Sequence, residues 1–272
     1  MSDVYGMLRD QGLRKTAGFP DEDFMIRGLW KVDLAFRPNV HERTFRYAFL
    51  LSQTVGQGSC YCDTDLVIND DLIGRDAREV VQERDCYSIS LLDSIYASIP
   101  KQPDDVHEIR GSSIEKAAKR NAIILDEIGR LLGVFGPKSG KPRVLNVGVV
   151  GNVVHGLVER GYDVLATDLD EKIIGSSVHG VTVVHGSRTY QHLKSSDVAV
   201  ITGMTLATDA VGDIAELSKV YNTRVVMFAE TGANFGEEYC QSLGIDVVVS
   251  EPFPFYIFQG VSRIEVYRRK VG

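Results

Sequence analysis

The chain has 272 residues, a formal net charge of −7 at pH 7, and 44% hydrophobic and 25% charged residues. This composition excludes an intrinsically disordered chain, and the length is sufficient for two unequal domains. The negative charge disfavours nucleic acid as a partner, because phosphates would be repelled. No apolar run approaches the roughly 18 residues of a membrane span, and the first residues show no export signal. We therefore expect a cytoplasmic protein without a membrane partner.

Residues 1–135 are predicted to form a smaller α+β domain. Some segments place apolar residues at helical spacing, and others are rich in aromatic and β-branched residues, which favours strands. Ser112 and Ser113 are candidate caps for the last helix of this half. The predicted helices cover residues 74–99 and 114–132, and the predicted strands cover residues 44–55 and 59–68.

The cysteines give no pattern typical of a metal site. Cys60 and Cys62 form a C-x-C pair, which is shorter than the C-x2-C pairs of zinc sites, and no second pair follows it. Without an export signal the four cysteines are expected to stay reduced. Buried thiols are therefore expected at this pair, with a metal site as the alternative, and no metal is expected elsewhere.

A loop rich in glycine, proline and lysine at residues 133–142 is predicted to separate the two domains. In residues 142–272, short β-branched runs alternate with helical segments, as in a mostly parallel sheet with crossover helices. The sequence thus predicts an α/β fold, with a Rossmann-like doubly wound sheet and a smaller N-terminal α+β domain. The strands are predicted over residues 144–150, 163–167, 181–185, 198–202, 224–229, 246–250 and 264–268.

The first turn of this second domain carries the strongest functional signal. A buried strand leads into Gly148 and Gly151, and a helix begins near Asn152 with free N–H groups. The next strand ends in Asp168, where a carboxylate can accept both hydroxyls of a ribose. These four residues predict a nucleotide site, and the alternative is a turn that serves packing alone.

The spacing of the glycines bears on which nucleotide is bound. The pattern is G-x-x-G, with Val150 where a second glycine would let a pyrophosphate approach, which disfavours NAD. The segment VLNVGVVGNVVHGLVERGYDVLATDLDEK also resembles the first two strands of class I methyltransferase-like proteins, one residue short in the glycine loop. The resemblance implies S-adenosylmethionine as cofactor or substrate.

A second resemblance covers about two thirds of the chain. The stretches SDVAVITGMTL, DVVVSEP and FQGV, which begin at residues 196, 246 and 258, resemble the Rossmann-like half of the heavy-metal-chelation family. That family pairs this half with an enolase-like α+β domain, and residues 44–132 suit such a partner. The resemblance implies an active site between the two domains, and metal chelation or chelator synthesis as an alternative function.

Candidate side chains follow the predicted strands, because ligands of open parallel sheets bind beyond the carboxyl ends of the strands. Glu230 is expected to bind an amine or act as a base, unless it is a solvated or capping glutamate. Thr202 and Thr205 offer hydroxyls and Gly203 permits close approach, with a threonine-capped turn as the alternative.

Two further candidates are Tyr190 and Asp93. Tyr190 follows the third strand and can stack on an adenine or face a sulfonium, or it is a surface aromatic. Asp93 can reach the cleft if the N-terminal domain closes over it. Residues 251–258 are aromatic and rich in proline, and they form either a pocket wall or a subunit interface, which leaves a homodimer open.

The favoured function is that of an S-adenosylmethionine-consuming biosynthetic enzyme that acts on a small molecule, a transferase or a lyase-type enzyme. Its reaction is methyl transfer, or an intramolecular cyclisation that releases methylthioadenosine. Either reaction needs orientation and a base more than a metal. Metal chelation is the second hypothesis, and an NAD-dependent oxidoreductase is the third.

Overall fold

A computed structural model describes residues 3–36 and 45–270. The N-terminal part contains a three-stranded antiparallel sheet, formed by β1 (Gly28–Phe36), β2 (Phe45–Gln53) and β3 (Gln57–Cys62) in that order. Its helices are α1 (Val4–Lys15), α2 (Ala77–Val80) and α3 (Cys86–Tyr96). Alternation along β2 turns Leu50 towards Cys86 and Tyr87 of α3 and Phe49 away from them, so the sheet has a covered face and an outer face.

The large sheet has nine strands in the order β4-β12-β11-β10-β9-β5-β6-β8-β7. The run from β8 to β11 is parallel and has the 3-2-1-4-5-6 order of doubly wound folds, with its switch point between β5 and β9. The predicted fold class is therefore confirmed. The strands are β4 (Asp105–Ile109), β5 (Arg143–Val147), β6 (Asp163–Asp168), β7 (Ser177–Val178), β8 (Val181–His185), β9 (Val198–Thr202), β10 (Arg224–Ala229), β11 (Val247–Ser250) and β12 (Ser262–Arg268).

Helices cover both faces of the large sheet. On one face, α4 and α5 pack against an apolar layer that includes Val144, Val200 and Val226. On the other face, α6, α8 and a π-helical turn, Tyr239–Leu243, share one core with α1 and α3 of the small domain. The helices of this part are α4 (Ser113–Phe135), α5 (Gly151–Glu159), α6 (Thr189–Ser195), α7 (Met204–Ala207), α8 (Ala210–Tyr221) and α9 (Gly236–Glu238).

The two sheets separate earlier in the chain than the loop at residues 133–142. Strand β4 pairs antiparallel with β12, and α4 packs on β9, β10 and β11, so both belong to the large-sheet layer. Helix α4 begins where expected, because Ser112 and Glu115 form a capping box. Strand β4 was not predicted from the sequence, since it is a short edge strand in which Ile109 alone is buried.

The predicted helix over residues 74–99 is two helices in the structure. The polar run Gln82–Asp85 interrupts the apolar spacing, and Asp85 starts α3 by accepting a hydrogen bond from the Ser88 main-chain N–H. Over the residues that the structure describes, no helix has both the length and the apolar character needed to cross a bilayer.

Candidate functional site

The turn after β5 is held by two side chains. Gly148 has a φ of +73°, which favours glycine. The Val149 main-chain N–H donates to Asp168 Oδ2 at 2.7 Å, and the Val150 N–H donates to Asn146 Oδ1 at 3.1 Å. Asn146 is fully buried and was not among the predicted residues, although an asparagine inside an apolar strand is itself a signal. The turn is thus fixed in shape.

Asp168 keeps room for a ligand beside this structural role. Its second oxygen, Oδ1, accepts from the Asp170 N–H at 2.8 Å. A carboxylate has about four acceptor positions, so two remain for ribose hydroxyls. A side chain added at Gly151, the first residue of α5, would meet nothing within 4 Å, and Asn152 beside it is exposed. The start of α5 is therefore open beside Gly151.

The end of β9 adjoins this turn, and the segment after β10 packs on Gly203, which follows β9. A Cβ at Gly148 would lie 3.1 Å from Thr202 Oγ1, and a Cβ at Gly203 would lie 2.2 Å from the Thr231 carbonyl oxygen. Gly203 therefore permits a close approach that any other residue would prevent. The Thr205 hydroxyl donates to the Thr202 carbonyl at 2.7 Å, which is the capped-turn arrangement that the sequence left as the alternative.

Glu230, which follows β10, belongs to a cluster that we call the Arg120 cluster: Arg120, Glu230 and Glu251. Arg120 Nη1 lies 3.2 Å from Glu230 Oε1 and 3.2 Å from Glu251 Oε2. The Glu230 side chain is 20% exposed, whereas that of Glu251 is fully buried. The guanidinium carbon lies 4.1 Å from the ring centre of Tyr256 and 4.6 Å from that of Phe228. Arg120 is thus held between two rings and two carboxylates.

The surroundings of Glu230 suit it to proton transfer. Burial raises its pKa to about 8; Arg120 acts in the opposite direction and Glu251 adds to the increase. Glu251 has fixed donors, since it accepts from the Tyr256 N–H and the Ser262 hydroxyl at 2.5 Å each. Glu230 is therefore the carboxyl of the pair that can exchange a proton with a bound molecule near neutral pH.

The small domain fixes the main chain around Glu230. The Ser59 hydroxyl of β3 donates to the Glu230 carbonyl at 2.6 Å, and the Gly232 N–H donates to the Ser59 carbonyl at 3.2 Å. The Tyr61 N–H donates to the Thr231 hydroxyl at 2.9 Å. Strand β3 thus holds the segment that carries the candidate base.

Asp93 has a structural position rather than a place in an open cleft. It is buried and accepts from the Ser59 N–H at 2.9 Å and the Asn234 N–H at 2.7 Å. Burial raises its pKa to about 7, although the two N–H donors act in the opposite direction. Asp93 therefore links α3, β3 and the segment after β10, and we interpret it as a positioning residue.

The Tyr190 hydroxyl donates to Asp213 Oδ2 at 3.2 Å. This bond ties α6 to α8 rather than to any of the strand ends described above. Tyr190 is also 38% exposed, which fits the surface alternative.

An aromatic cleft lies between the domains. The outer face of the small sheet packs on residues 253–258, with the rings of Phe49 and Phe255 4.9 Å apart. A cavity of about 370 Å³ opens beside this contact, and Phe253 of the 251–258 segment contributes to its wall. The cavity is lined by Trp30, Lys31, Val32, Leu51, Ser52, Gln57 and Phe253.

All four cysteines are free thiols. Burial raises the pKa of Cys62 to about 11 and also raises that of Cys60. In residues 3–36 and 45–270, no three histidine, cysteine, aspartate or glutamate side chains are grouped so that they could hold a metal ion.

Comparisons with known proteins show which family this chain is similar to. The model of a family described as "Putative heavy-metal chelation" matches residues 135–249. A protein of unknown function from that family in Pyrococcus horikoshii has a similar structure, with a TM-score of 0.58 and 10% identity over 97% of this chain and 99% of the other. A protein of unknown function from that family in Desulfitobacterium hafniense has a TM-score of 0.56 and 13% identity, over 96% of this chain and 99% of the other.

At such low sequence identity, the structural similarity to these two proteins establishes a shared fold and no more. No curated protein matches the chain. The resemblance to the heavy-metal-chelation family noted in the sequence is confirmed, since the model of that family matches residues 135–249 of this chain.

Proposed function

We propose that the protein is an S-adenosylmethionine-binding enzyme that acts on a small molecule. The observation that carries the proposal is the position of Glu230. This carboxyl, with a pKa of about 8, follows β10, next to the strand whose end adjoins the Gly148 turn and Asp168. An acid–base group near a nucleotide turn at a topological switch point is the arrangement expected of an enzyme of this fold class.

The residues of the turn fit a nucleoside sulfonium. Asp168 has acceptor positions left for the ribose hydroxyls, and Gly151 leaves space above the start of α5. Val150 takes the position where a dinucleotide would need a glycine. A ligand without a pyrophosphate makes less demand on that position, which supports S-adenosylmethionine over NAD.

When bound, S-adenosylmethionine would supply an electrophilic carbon attached to a positively charged sulfur. Glu230 would accept the proton that the attacking nitrogen or oxygen must lose, after Arg120 and Glu251 have fixed the direction of its carboxyl. The aromatic cleft would hold the remainder of the substrate. The small domain would keep Glu230 in position through Ser59.

Two reactions are compatible with these roles, and their products distinguish them. Methyl transfer leaves S-adenosylhomocysteine and needs a second substrate. Ring closure by the amine of S-adenosylmethionine leaves methylthioadenosine and needs none. The test is incubation of the protein with S-adenosylmethionine, alone and with extracts of small molecules, followed by chromatography of the nucleosides.

Appearance of either nucleoside in the wild type, and its loss in Glu230→Gln but not in Glu216→Gln, supports the proposal. Glu216 is an exposed glutamate of α8 and serves as the matched control. Neither nucleoside above the spontaneous background, in any mixture, would contradict the proposal.

The second candidate is metal chelation or chelator synthesis, and the description of the matched family favours it. Calorimetric titrations with Zn²⁺, Fe²⁺ and NAD distinguish the candidates. Heat from a metal alone would favour chelation, and heat from NAD alone would favour an oxidoreductase.

A further inference from the structure

Strand β1 is a long edge of the small sheet. It is nine residues long and stands at the end of the order β1-β2-β3, so its second edge pairs with no strand that the structure describes. A long edge strand with alternating apolar residues is an efficient template for pairing with another chain. Trp30, the single tryptophan of the chain, lies on this strand and is 46% exposed.

The sequence of β1 is complementary to itself. In an antiparallel pair of two copies with Val32 opposite Val32, Lys31 of each copy lies opposite Asp33 of the other, and Trp30 lies opposite Leu34. Shifting the centre to Lys31 places two lysines opposite each other, and shifting it to Asp33 does the same with two aspartates. A register shift of one residue, which moves the centre to a point between two residues, places charged side chains opposite apolar ones. The charges thus select a single register.

The two charged residues differ in their surroundings. The Asp33 side chain is 59% exposed, whereas that of Lys31 is 16% exposed, with its Nζ 3.3 Å from Asp33 Oδ1 of its own strand and donating to the Thr64 carbonyl. In the pair, the Lys31 ammonium would turn from the Thr64 carbonyl towards the free edge, between an aspartate of its own strand and one of the second copy. The same two residues would otherwise serve to discourage edge pairing, as isolated charges on edge strands do.

We propose that the protein forms a two-fold symmetric homodimer through its β1 edges, centred on Val32. The two small sheets then form one six-stranded antiparallel sheet. Trp30, Lys31 and Val32 also line the cavity of the aromatic cleft, so the dimer places the two cavities beside the shared edge. The proposal does not depend on which ligand the large domain binds.

Charge reversal tests this register directly. Light scattering after size exclusion should give the wild type twice the 30.1 kDa mass of one chain. Lys31→Glu and Asp33→Lys should each weaken self-association roughly tenfold or more, because two opposite-charge pairs become like-charge pairs. An equimolar mixture of the two variants should restore a dimer containing one copy of each, because every cross-strand pair is then of opposite charge.

The controls change the same net charge elsewhere on the surface: Lys172→Glu and Asp71→Lys, both at exposed positions. They should leave the dimer intact. Emission of the single tryptophan should shift to shorter wavelength on dimerisation in the wild type and in the mixture, and in neither single variant. A monomeric wild type, a Lys31→Glu variant that dimerises like the wild type, or a mixture that stays monomeric would each overturn the proposal.

Discussion

The Ser59 hydroxyl donates a 2.6 Å hydrogen bond to the main-chain carbonyl of Glu230. The two residues are 171 positions apart: Ser59 lies in the small sheet, and Glu230 directly follows strand β10 of the large sheet. The small domain thus sets the position of a carboxyl in the large one. This relationship makes Ser59 a positioning residue for the candidate base.

Ser59→Ala should reduce turnover more than it reduces ligand affinity. Removing one hydrogen bond to the main chain costs about 1 kcal/mol and leaves the Glu230 segment less fixed. We expect kcat to fall roughly tenfold, since small displacements of a base are costly, with KM for S-adenosylmethionine nearly unchanged. Ser195→Ala, which removes a hydroxyl within α6, is the control and should change neither constant. Equal losses in Ser59→Ala and Ser195→Ala would contradict the positioning role.

Glu230→Gln should remove the proton acceptor and lower the rate about 10²- to 10⁴-fold. Because the pKa of Glu230 is raised to about 8, the wild-type rate should rise with pH and level off above about 8. Glu216→Gln should keep the wild-type profile. An unchanged pH profile in Glu230→Gln would exclude this carboxyl as the base.

The raised pKa of Glu230 also affects the free energy of unfolding. Because this pKa is higher in the folded state than its ordinary value of 4.5, Glu230 adds to the free energy of unfolding below pH 4.5, and this contribution is lost as pH rises to about 8. Urea unfolding of the wild type should show this loss. The loss should be smaller in Glu230→Gln, which cannot ionise.

Arg120→Met should destabilise the fold by about 3–5 kcal/mol, because Glu230 and Glu251 would lose their shared cation. Arg120 lowers the pKa of Glu230, so its removal should also move the pH profile of the remaining activity to higher pH. The control is Arg75→Met, which removes an exposed ion pair with Glu79 and should cost about 0–1 kcal/mol. Similar unfolding midpoints for the two variants would show that the Arg120 cluster does not stabilise the fold.

Asp93→Asn should destabilise the fold by roughly 1–3 kcal/mol at pH 8, because an amide has one acceptor oxygen for two main-chain donors. The pKa of Asp93 is raised from 3.8 to about 7 in the folded state, so the wild type should lose stability as pH rises between those values. The variant should lack this part of the loss. Asp71→Asn, at an exposed position, is the control in urea unfolding at several pH values.

The sequence was sufficient to predict the fold class, because strands that alternate with helices along a chain usually form a parallel sheet connected by crossover helices. It was also sufficient to place Gly148, Asp168 and Glu230 at the ends of strands. It did not predict β1, whose alternation of apolar and polar residues is interrupted at its start by Gly28 and Leu29, or the charged edge strand β4.

The Arg120 cluster could not be predicted from the sequence. Arg120 is 110 residues from Glu230 and 131 from Glu251, and helical periodicity does not specify which strand end an arginine in a buried stripe will meet. For the same reason the contact between Asp93 and Asn234, 141 residues apart, became apparent only in the structure. Local patterns determine elements, whereas packing of distant elements determines a site.

Calorimetric titration of S-adenosylmethionine into the wild type, Asp168→Asn and Glu171→Gln tests the central claim most directly. Glu171 is an exposed carboxylate three residues away and controls for charge. We expect one site per chain in the wild type and in Glu171→Gln, and affinity roughly ten- to a hundredfold weaker in Asp168→Asn, which loses hydrogen bonds from ribose to a charged acceptor. No binding heat in the wild type, or equal affinity in all three proteins, would contradict the account.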